Sequence, residues 1–328
     1  MNKVIYFTDI NQLPKAITHF NIQEFANKKI PLKLHMGEKN NQYFPRSTEV
    51  QHAIDVLKNH HAQPFLYDTT VAYSGLRHNK NTYKELAETH GFSQQATGCP
   101  IIIDDTGQDI HIQGRQYTVA DQLIQATHIF AWSHVKGHVA TGMGGAIKNF
   151  GMGGVTKETK LDMHHKSRPL FHKDNCTYCN ICAESCPFEA LTVSNESWNK
   201  NNKACFGCGV CVDVCPYKAL SNIDANLQYL IACAAFACVK DKKVIYLNDV
   251  NRIARNCDCD PSAGPLIAPD IGYLLGDDPV AIDQASLDLI YKNQPDLFKE
   301  KLHINPEKQI TYGEQIGLGS STYELITI

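Results

Sequence analysis

Apolar and polar positions alternate in two ways along the first 166 residues. Short apolar runs, the pattern of buried strands, occur at Val4–Thr8, Pro31–His35, Pro64–Tyr67, Ile101–Asp104 and His128–Trp132. Longer stretches with caps, stops or apolar residues on one face predict helices over Asn11–Ala26, Ser47–His60, Thr82–His90 and Thr118–Ala126.

The same alternation resumes after residue 222. The pattern there predicts a helix over Ala225–Val239, a strand over Lys243–Leu247 and a second helix over Val280–Tyr291. Strands that alternate with helices favour an α/β fold with a mostly parallel sheet flanked by helices.

A repeated cysteine pattern separates these two regions. Each copy reads Cys-x-x-Cys-x-x-Cys-x-x-x-Cys-Pro, and the second begins twenty-nine residues after the first. The copies contain Cys176, Cys179, Cys182, Cys186, Cys205, Cys208, Cys211 and Cys215. Bacterial two-cluster ferredoxins have this spacing, and the fourth cysteine of each run ligates the other cluster. We therefore expect Cys215 to complete the [4Fe–4S] cluster of the first run and Cys186 that of the second.

Two other uses of the cysteines fit less well. Zinc sites use pairs of cysteines and do not require a run of four that ends in Cys-Pro. Disulfides require an oxidising compartment, and nothing in the sequence indicates export. Thiolates are also the ligands that iron in such clusters prefers.

The position of the cysteine runs predicts the domain organisation. An α+β ferredoxin-like module at residues 167–222 interrupts an α/β domain, whose two parts are residues 1–166 and 223–328. The alternative is three successive modules. Insertion is favoured because the last hundred residues are too fragmentary to close a sheet alone.

Composition excludes several classes of protein. The formal net charge is −3 and there is no basic tract, so nucleic acid is not an expected partner. No run of eighteen apolar residues is present, and the first nine residues do not resemble a signal peptide. Oxygen-sensitive clusters and thirteen cysteines favour a reducing cytoplasm.

Polar residues follow several predicted strands. Ligands of open α/β sheets bind outside the carboxyl ends of the strands, where we expect His35, Glu38, Asp68, Arg77, Asp104, His134, Lys136, His138 and Lys148. His134, Lys136, His138 and Lys148 are candidate catalytic residues, because histidine changes charge near neutral pH. The histidines could instead form structural hydrogen bonds in a loop. A helix would place both on one face, suited to a metal, but Gly137 favours a loop.

A glycine pattern follows these histidines. Gly-Met-Gly-Gly-x-x-Lys begins at Gly142 and recurs nine residues later at Gly151. Gly142, Gly144 and Gly145, with Asp68 on the same rim, are the candidate site for a phosphate or carboxylate, because glycines let backbone N–H groups face an anion. The alternative is tight packing of the backbone in a long connection.

Cys257 and Cys259 form a second group of thiols. In an extended segment the two side chains would point to one side, with Asp258 and Asp260 on the other. The pair could bind an additional metal, act as a redox pair or lie beside a cluster. Buried free cysteines that act as small hydrophobic residues are the alternative.

Residues 132–153, which contain both candidate histidines, the first glycine motif and the start of the second, resemble the hallmark of the domain-of-unknown-function family 362, in its branch with a ferredoxin insert. Other matching segments are Lys33–Glu38, Pro64–Thr69, Cys257–Asp260, Pro269–Gly272, Asp278–Asp283 and Gly317–Ser321. The resemblance implies an α/β core with two [4Fe–4S] clusters. It implies no particular reaction.

Two functional hypotheses follow. In the first, the chain is an iron–sulfur protein, an oxidoreductase or a component of one, that transfers electrons between a redox partner protein and a small molecule or metal in the α/β core. In the second, the core is a non-redox binding or assembly module whose clusters are structural or sensory. The absence of Gly-x-Gly-x-x-Gly after the first strand argues against a nicotinamide dehydrogenase.

Overall fold

The computed structural model describes all residues from 1 to 328. Its sixteen strands are β1 Asn2–Phe7, β2 Lys29–Lys33, β3 Gln63–Thr69, β4 Ile101–Asp104, β5 Gly107–Ile112, β6 Arg115–Ala120, β7 His128–His134, β8 Lys136–His138, β9 Gly142–Gly144, β10 Pro169–Phe171, β11 Leu191–Val193, β12 Trp198–Lys200, β13 Leu220–Asn222, β14 Lys243–Val250, β15 Gly272–Gly276 and β16 Tyr323–Thr327.

Thirteen α-helices accompany the strands. They are α1 Leu13–Ala16, α2 Ser47–Asn59, α3 Lys80–Ala87, α4 Gln94–Thr97, α5 Asp121–Gln125, α6 Ala146–Gly151, α7 Lys157–Lys166, α8 Ile181–Glu184, α9 Val210–Asp213, α10 Leu227–Val239, α11 Pro279–Asn293, α12 Leu297–Leu302 and α13 Glu307–Gln315. None is long and apolar enough to cross a membrane.

Eight strands form the central sheet in the order β16-β1-β15-β14-β7-β2-β3-β4. Only β15 runs antiparallel to its two neighbours, and the other five pairings are parallel. The predicted α/β fold with a mostly parallel sheet flanked by helices is therefore confirmed.

The sheet separates two hydrophobic cores. Consecutive strand residues point to opposite faces: Ile129 and Ala131 of β7 lie in a cluster of 45 buried residues, whereas Phe130 and Trp132 lie in one of 30. The larger cluster packs under α6, α10 and α11, and the smaller under α2. Two covered faces explain why Ile129–Trp132 of β7 form a continuous apolar run.

Two predicted helices are wrong. Thr118 pairs with Asp109 in the β5–β6 hairpin, and only Asp121–Gln125 of the predicted stretch is helical. The aromatic and β-branched residues at 117–119 favour the extended conformation. The stretch Asn11–Ala26 forms short helical turns instead of one helix, because Phe20 is extended and ends the turn at Ile17–His19.

The cysteine-rich segment forms two small two-stranded antiparallel sheets outside the central sheet, β10 with β13 and β11 with β12. β7 precedes this segment and β14 follows it, and the two lie side by side in the central sheet. The domain boundaries at residues 166 and 222 stay predictions.

Candidate functional site

The eight repeated cysteines surround two cavities. The lining of the first includes Cys176, Cys179, Cys182 and Cys215. The lining of the second includes Cys186, Cys205, Cys208 and Cys211. Each cavity thus takes three cysteines from one run and the fourth from the other, which is the crossed arrangement expected from the spacing.

The two cysteine loops share one backbone conformation. Tyr178 and Gly207, which precede the second cysteine of each run, have φ angles of 55° and 74°. Asn180 and Gly209, which follow that cysteine, have φ angles of 67° and 81°. Tight turns of this kind direct successive N–H groups to one side, where they can face an anionic centre.

Backbone N–H groups also donate to the sulfur atoms. The amide of Ala190 lies 3.3 Å from Sγ of Cys186, and the amide of Ala219 lies 3.3 Å from Sγ of Cys215. Burial raises the pKa of Cys208 to about 11, so a positively charged centre is needed to hold this sulfur as a thiolate at neutral pH. These cysteines could therefore hold a metal cluster.

The two cavities differ in exposure. Cys179 in the first is exposed, and its neighbours Ile181 and Tyr217 are exposed hydrophobic residues. In the second, Cys205 and Cys211 are buried. The cysteines of the first cavity are therefore more exposed than those of the second. We call the two the surface cavity and the enclosed cavity.

The second cysteine loop packs directly on α7. The Phe206 ring lies 4.4 Å from the His164 ring, and the Ser167 hydroxyl donates to the carbonyl oxygen of Gly207 at 2.7 Å. These contacts place the second cavity against the segment that leads away from the glycine motifs.

The carboxyl end of β7 holds the first candidate histidine. Nδ1 of His134 lies 2.8 Å from Oδ1 of Asp258, and Nε2 lies 2.8 Å from the carbonyl oxygen of Asn251. Both partners are acceptors, so only the doubly protonated ring satisfies both. Lys136 adds an ion pair to Asp258 at 3.0 Å. The buried carboxylate of Asp258 therefore connects His134 and Lys136 to the loop that contains Asp258.

The second candidate histidine lies in β8, and it meets the cysteine pair. Ligand atoms of His138, Cys257 and Cys259 all lie within 4.8 Å of one another. The cysteines lie in a turn and not in the expected extended segment, because the amide of Asp260 donates to the carbonyl oxygen of Cys257 at 2.9 Å. The turn brings the two sulfur atoms to 2.6 Å.

The three groups differ in their protonation. The adjacent Cys259 sulfur, together with Lys148 and Lys136, lowers the pKa of Cys257. Its proximity to Cys257 and its burial raise the pKa of Cys259. Burial lowers the pKa of His138. At neutral pH this arrangement favours a thiolate at Cys257 and a neutral imidazole at His138, the forms that bind metals.

Lys148 lies beside this group without an ion pair of its own. Its stem and that of Lys136 both approach Gly144: a Cβ on that glycine would lie 3.4 Å from Cδ of Lys148 and 3.6 Å from Cε of Lys136. The side chain of Lys148 is half-buried. Lys148 therefore adds a positive charge that no carboxylate pairs with, on the side of the cysteines.

The structure places Asp68 in a different network. Lys33 pairs with it at 2.8 Å and Arg77 at 3.5 Å, and both cations are buried. They hold the pKa of this carboxyl below its usual range despite burial. Lys33 also donates to Asn149 at 2.9 Å, so the network reaches α6, between the two glycine motifs.

The amides of the first glycine motif have a partner within the chain. Asp283 accepts hydrogen bonds from the backbone N–H groups of Ala146 and Ile147, at 2.7 and 2.9 Å. A Cβ on Gly145 would lie 2.4 Å from the same carboxylate, so this glycine permits the close approach. The anion site at Gly142, Gly144 and Gly145 stays a prediction, and two neighbouring amides are already occupied.

Sequence reasoning missed two contributions to the site. Asp258 was expected to point away from the site, yet it anchors His134 and Lys136. Lys33 was assigned to a strand without a role, although it is the buried partner of Asp68. The sequence did contain a signal: Lys33 directly follows the apolar residues Ile30–Leu32 of a predicted buried strand. A lysine in such a position needs a buried partner.

The comparisons with known proteins identify a family but no activity. No curated protein matches the chain. The lactate racemase apoprotein from Thermoanaerobacterium thermosaccharolyticum is similar at 12% identity and a TM-score of 0.38, over 76% of this chain and 51% of that one. A Thermotoga maritima protein of known structure is similar at 10% identity and a TM-score of 0.44, over 94% of this chain and 59% of that one.

The chain thus spans between about half and three-fifths of the length of these two proteins. The sequence profile of the family described as domain of unknown function, DUF362, matches residues 30–288, from β2 into α11. The match covers most of the central sheet and all the candidate residues. The chain belongs to the DUF362 family.

Proposed function

We propose that this protein binds two [4Fe–4S] clusters and transfers electrons between a redox partner and the polar site at the carboxyl end of β7. The observation that carries the proposal is the division of the eight cysteines around two cavities. Each cavity provides the four sulfur ligands that one such cluster requires. The chain would then be an oxidoreductase or a component of one.

The environment of the cysteines supports clusters over isolated metal ions. Hydrogen bonds from backbone N–H groups to Cys186 and Cys215 are of the kind that stabilise the charge on cluster sulfur and adjust its reduction potential.

The difference in exposure suggests a path for electrons through the protein, from a partner at the surface to the polar site. The surface cavity, with Ile181 and Tyr217 exposed beside it, offers a docking area for a redox partner protein. The enclosed cavity contacts His164 through Phe206. His164 belongs to α7, which follows the glycine motifs in the chain. We therefore propose that a cluster in the enclosed cavity is the one that exchanges electrons with the polar site.

The first test is chemical analysis of anaerobically purified protein. Two clusters require about eight iron and eight acid-labile sulfide per chain. Cys99→Ser serves as the control, because Cys99 is buried in the smaller core and belongs to neither run. About one zinc per chain without sulfide would refute the cluster assignment.

The second test separates electron transfer from a structural or sensory role. The clusters are titrated anaerobically, with electron paramagnetic resonance as the readout, with and without small carboxylate and phosphate anions. A ligand-dependent shift in the signal of the enclosed cluster supports transfer to the polar site. Clusters that cannot be reduced reversibly, or that respond to no anion, favour the non-redox module.

A further inference from the structure

We propose that His138, Cys257 and Cys259 bind one divalent transition-metal ion and leave a coordination position open to an anionic small molecule. The three ligand atoms lie within 4.8 Å of one another. They come from β8 and from a turn more than one hundred residues later in the chain. This centre is separate from the eight repeated cysteines.

The donor set defines the class of metal. Two thiolates and one imidazole suit zinc and the neighbouring transition metals, and they do not suit magnesium or calcium. Structural zinc sites have four protein ligands, whereas catalytic sites have three and keep one position for water or substrate. Three ligands therefore indicate a centre that can bind a further molecule.

The backbone around the three ligands is arranged to bring them together. Gly137, next to His138, donates its N–H to the carbonyl oxygen of Ala254 at 2.8 Å. A Cβ at Gly137 would lie 2.2 Å from the carbonyl oxygen of Arg255. Only glycine permits this approach of β8 to the segment that leads to Cys257.

The turn that contains the cysteines is anchored independently. Asn41 donates to the carbonyl oxygen of Asp260 at 2.8 Å, and the amide of Glu38 donates to that of Asp258 at 3.1 Å. The amide of Ala140 approaches Nδ1 of His138 at 3.2 Å. Metal binding removes this long hydrogen bond in either case. If Nδ1 binds the metal, the metal takes the place of the amide. If Nε2 binds the metal, Nδ1 carries the ring proton and no longer accepts.

Charge determines what occupies the open position. Two thiolates neutralise a divalent ion, and Lys148 then remains as a positive charge without a counterion. Cys259 is partly exposed, so small molecules can reach this side of the centre. An anion with a carboxylate or phosphate oxygen would bind the metal through that oxygen and pair with Lys148.

The proposed function suggests a role for this metal centre. If the enclosed cluster exchanges electrons with a molecule bound at the metal, the metal orients and polarises that molecule; this role rests on the two-cluster proposal. Metal binding itself does not depend on the clusters. Acid-labile sulfide tests the clusters, and a third metal tests the centre, so the two proposals can fail separately.

The experiment uses the full-length, cluster-loaded protein, prepared anaerobically and treated with a chelator. Zn²⁺ or Co²⁺ is added back, and bound metal is counted after gel filtration. We expect one added ion per chain. X-ray absorption at the edge of the added metal should show two sulfur neighbours at about 2.3 Å and nitrogen or oxygen neighbours near 2.0–2.1 Å.

The variants Cys257→Ser, Cys259→Ser and His138→Asn should each lose this ion and keep their sulfide content. Cys99→Ser and His128→Asn, which change a buried cysteine and a buried histidine elsewhere, should keep the ion. Retention of the added ion in all three site variants would overturn the proposal. A Cys257–Cys259 disulfide that persists in reduced protein without metal would also overturn it.

Inorganic phosphate and acetate probe the open position. Addition of either should change the X-ray absorption edge of the Co²⁺ form, and Lys148→Ala should weaken that binding about tenfold, the usual effect of one charged hydrogen bond. A metal that has four protein ligands and ignores both anions would contradict the open position.

Discussion

The backbone of Gly207 passes so close to His164 that a Cβ on the glycine would lie 2.0 Å from the histidine carbonyl oxygen. The equivalent position in the first loop is Tyr178, which has a similar positive φ. Backbone conformation alone therefore does not require glycine at position 207. Glycine is required there because the second loop contacts the backbone of α7.

Gly207→Ala should therefore disrupt the second cysteine loop, and Tyr178→Ala should be tolerated. The added methyl group in Gly207→Ala forces the loop away from α7, at a cost of about 2–4 kcal/mol. Iron and sulfide content should fall toward one cluster per chain, while the circular dichroism of the core is unchanged. Equal cluster content in both variants would refute this reading of the contact.

The crossed arrangement of the cysteines gives a prediction about spectra. Cys186→Ala should produce the same change in the electron paramagnetic resonance spectrum as Cys208→Ala, because both remove a ligand from the enclosed cavity. Cys215→Ala should instead match Cys179→Ala. If Cys186→Ala matched Cys179→Ala, each run would ligate its own cluster.

The sequence could predict the features that depend on residues close together in the chain. Three ligands of each cavity lie within seven consecutive residues, and the fourth comes from the other run. The sequence could predict this division because the paired runs match the spacing of two-cluster ferredoxins. Strands such as β7, covered on both faces, are recognisable as continuous apolar runs. Thr118 was assigned to a helix because a hairpin depends on pairing with a second strand, here at Asp109, which the local pattern does not reveal.

The polar site was harder to predict, because its residues are far apart in the sequence. His138 and Cys257 are more than one hundred residues apart in sequence, and they meet only because β8 packs against the segment at 254–255. Their residue types were noted separately as candidates. Asp258 was placed on the wrong side because its orientation depends on a turn and on the charges of His134 and Lys136.

Asp258→Asn should destabilise the protein by about 3–5 kcal/mol, because it leaves buried Lys136 and His134 without their counterion. Anaerobic urea unfolding, followed by circular dichroism, measures the loss. Asp162→Asn is the control: it removes an exposed ion pair with Lys166 and should cost less than about 0.5 kcal/mol. Similar losses in both variants would show that Asp258 does not anchor the turn.

Lys160 gives a prediction for pH. Its ammonium group is buried and donates to the hydroxyl of Thr69 at 2.8 Å and to the carbonyl oxygen of Thr70. Burial lowers its pKa to about 7, from 10.5 for an ordinary lysine. Between these values the unfolded chain binds more protons than the folded one, so the contribution of Lys160 to the free energy of unfolding rises with pH.

Lys160→Met removes this dependence. Between pH 7 and pH 9, wild type should gain stability relative to Lys160→Met, by at most about 1.4 kcal/mol per pH unit. Anaerobic urea unfolding at several pH values measures the difference. Lys240→Met, at an exposed position after α10, is the control and should run parallel to wild type. A difference between wild type and Lys160→Met that is constant with pH would mean that Lys160 stays charged in the folded protein, held by Asp68 across the network that Lys33 and Arg77 complete.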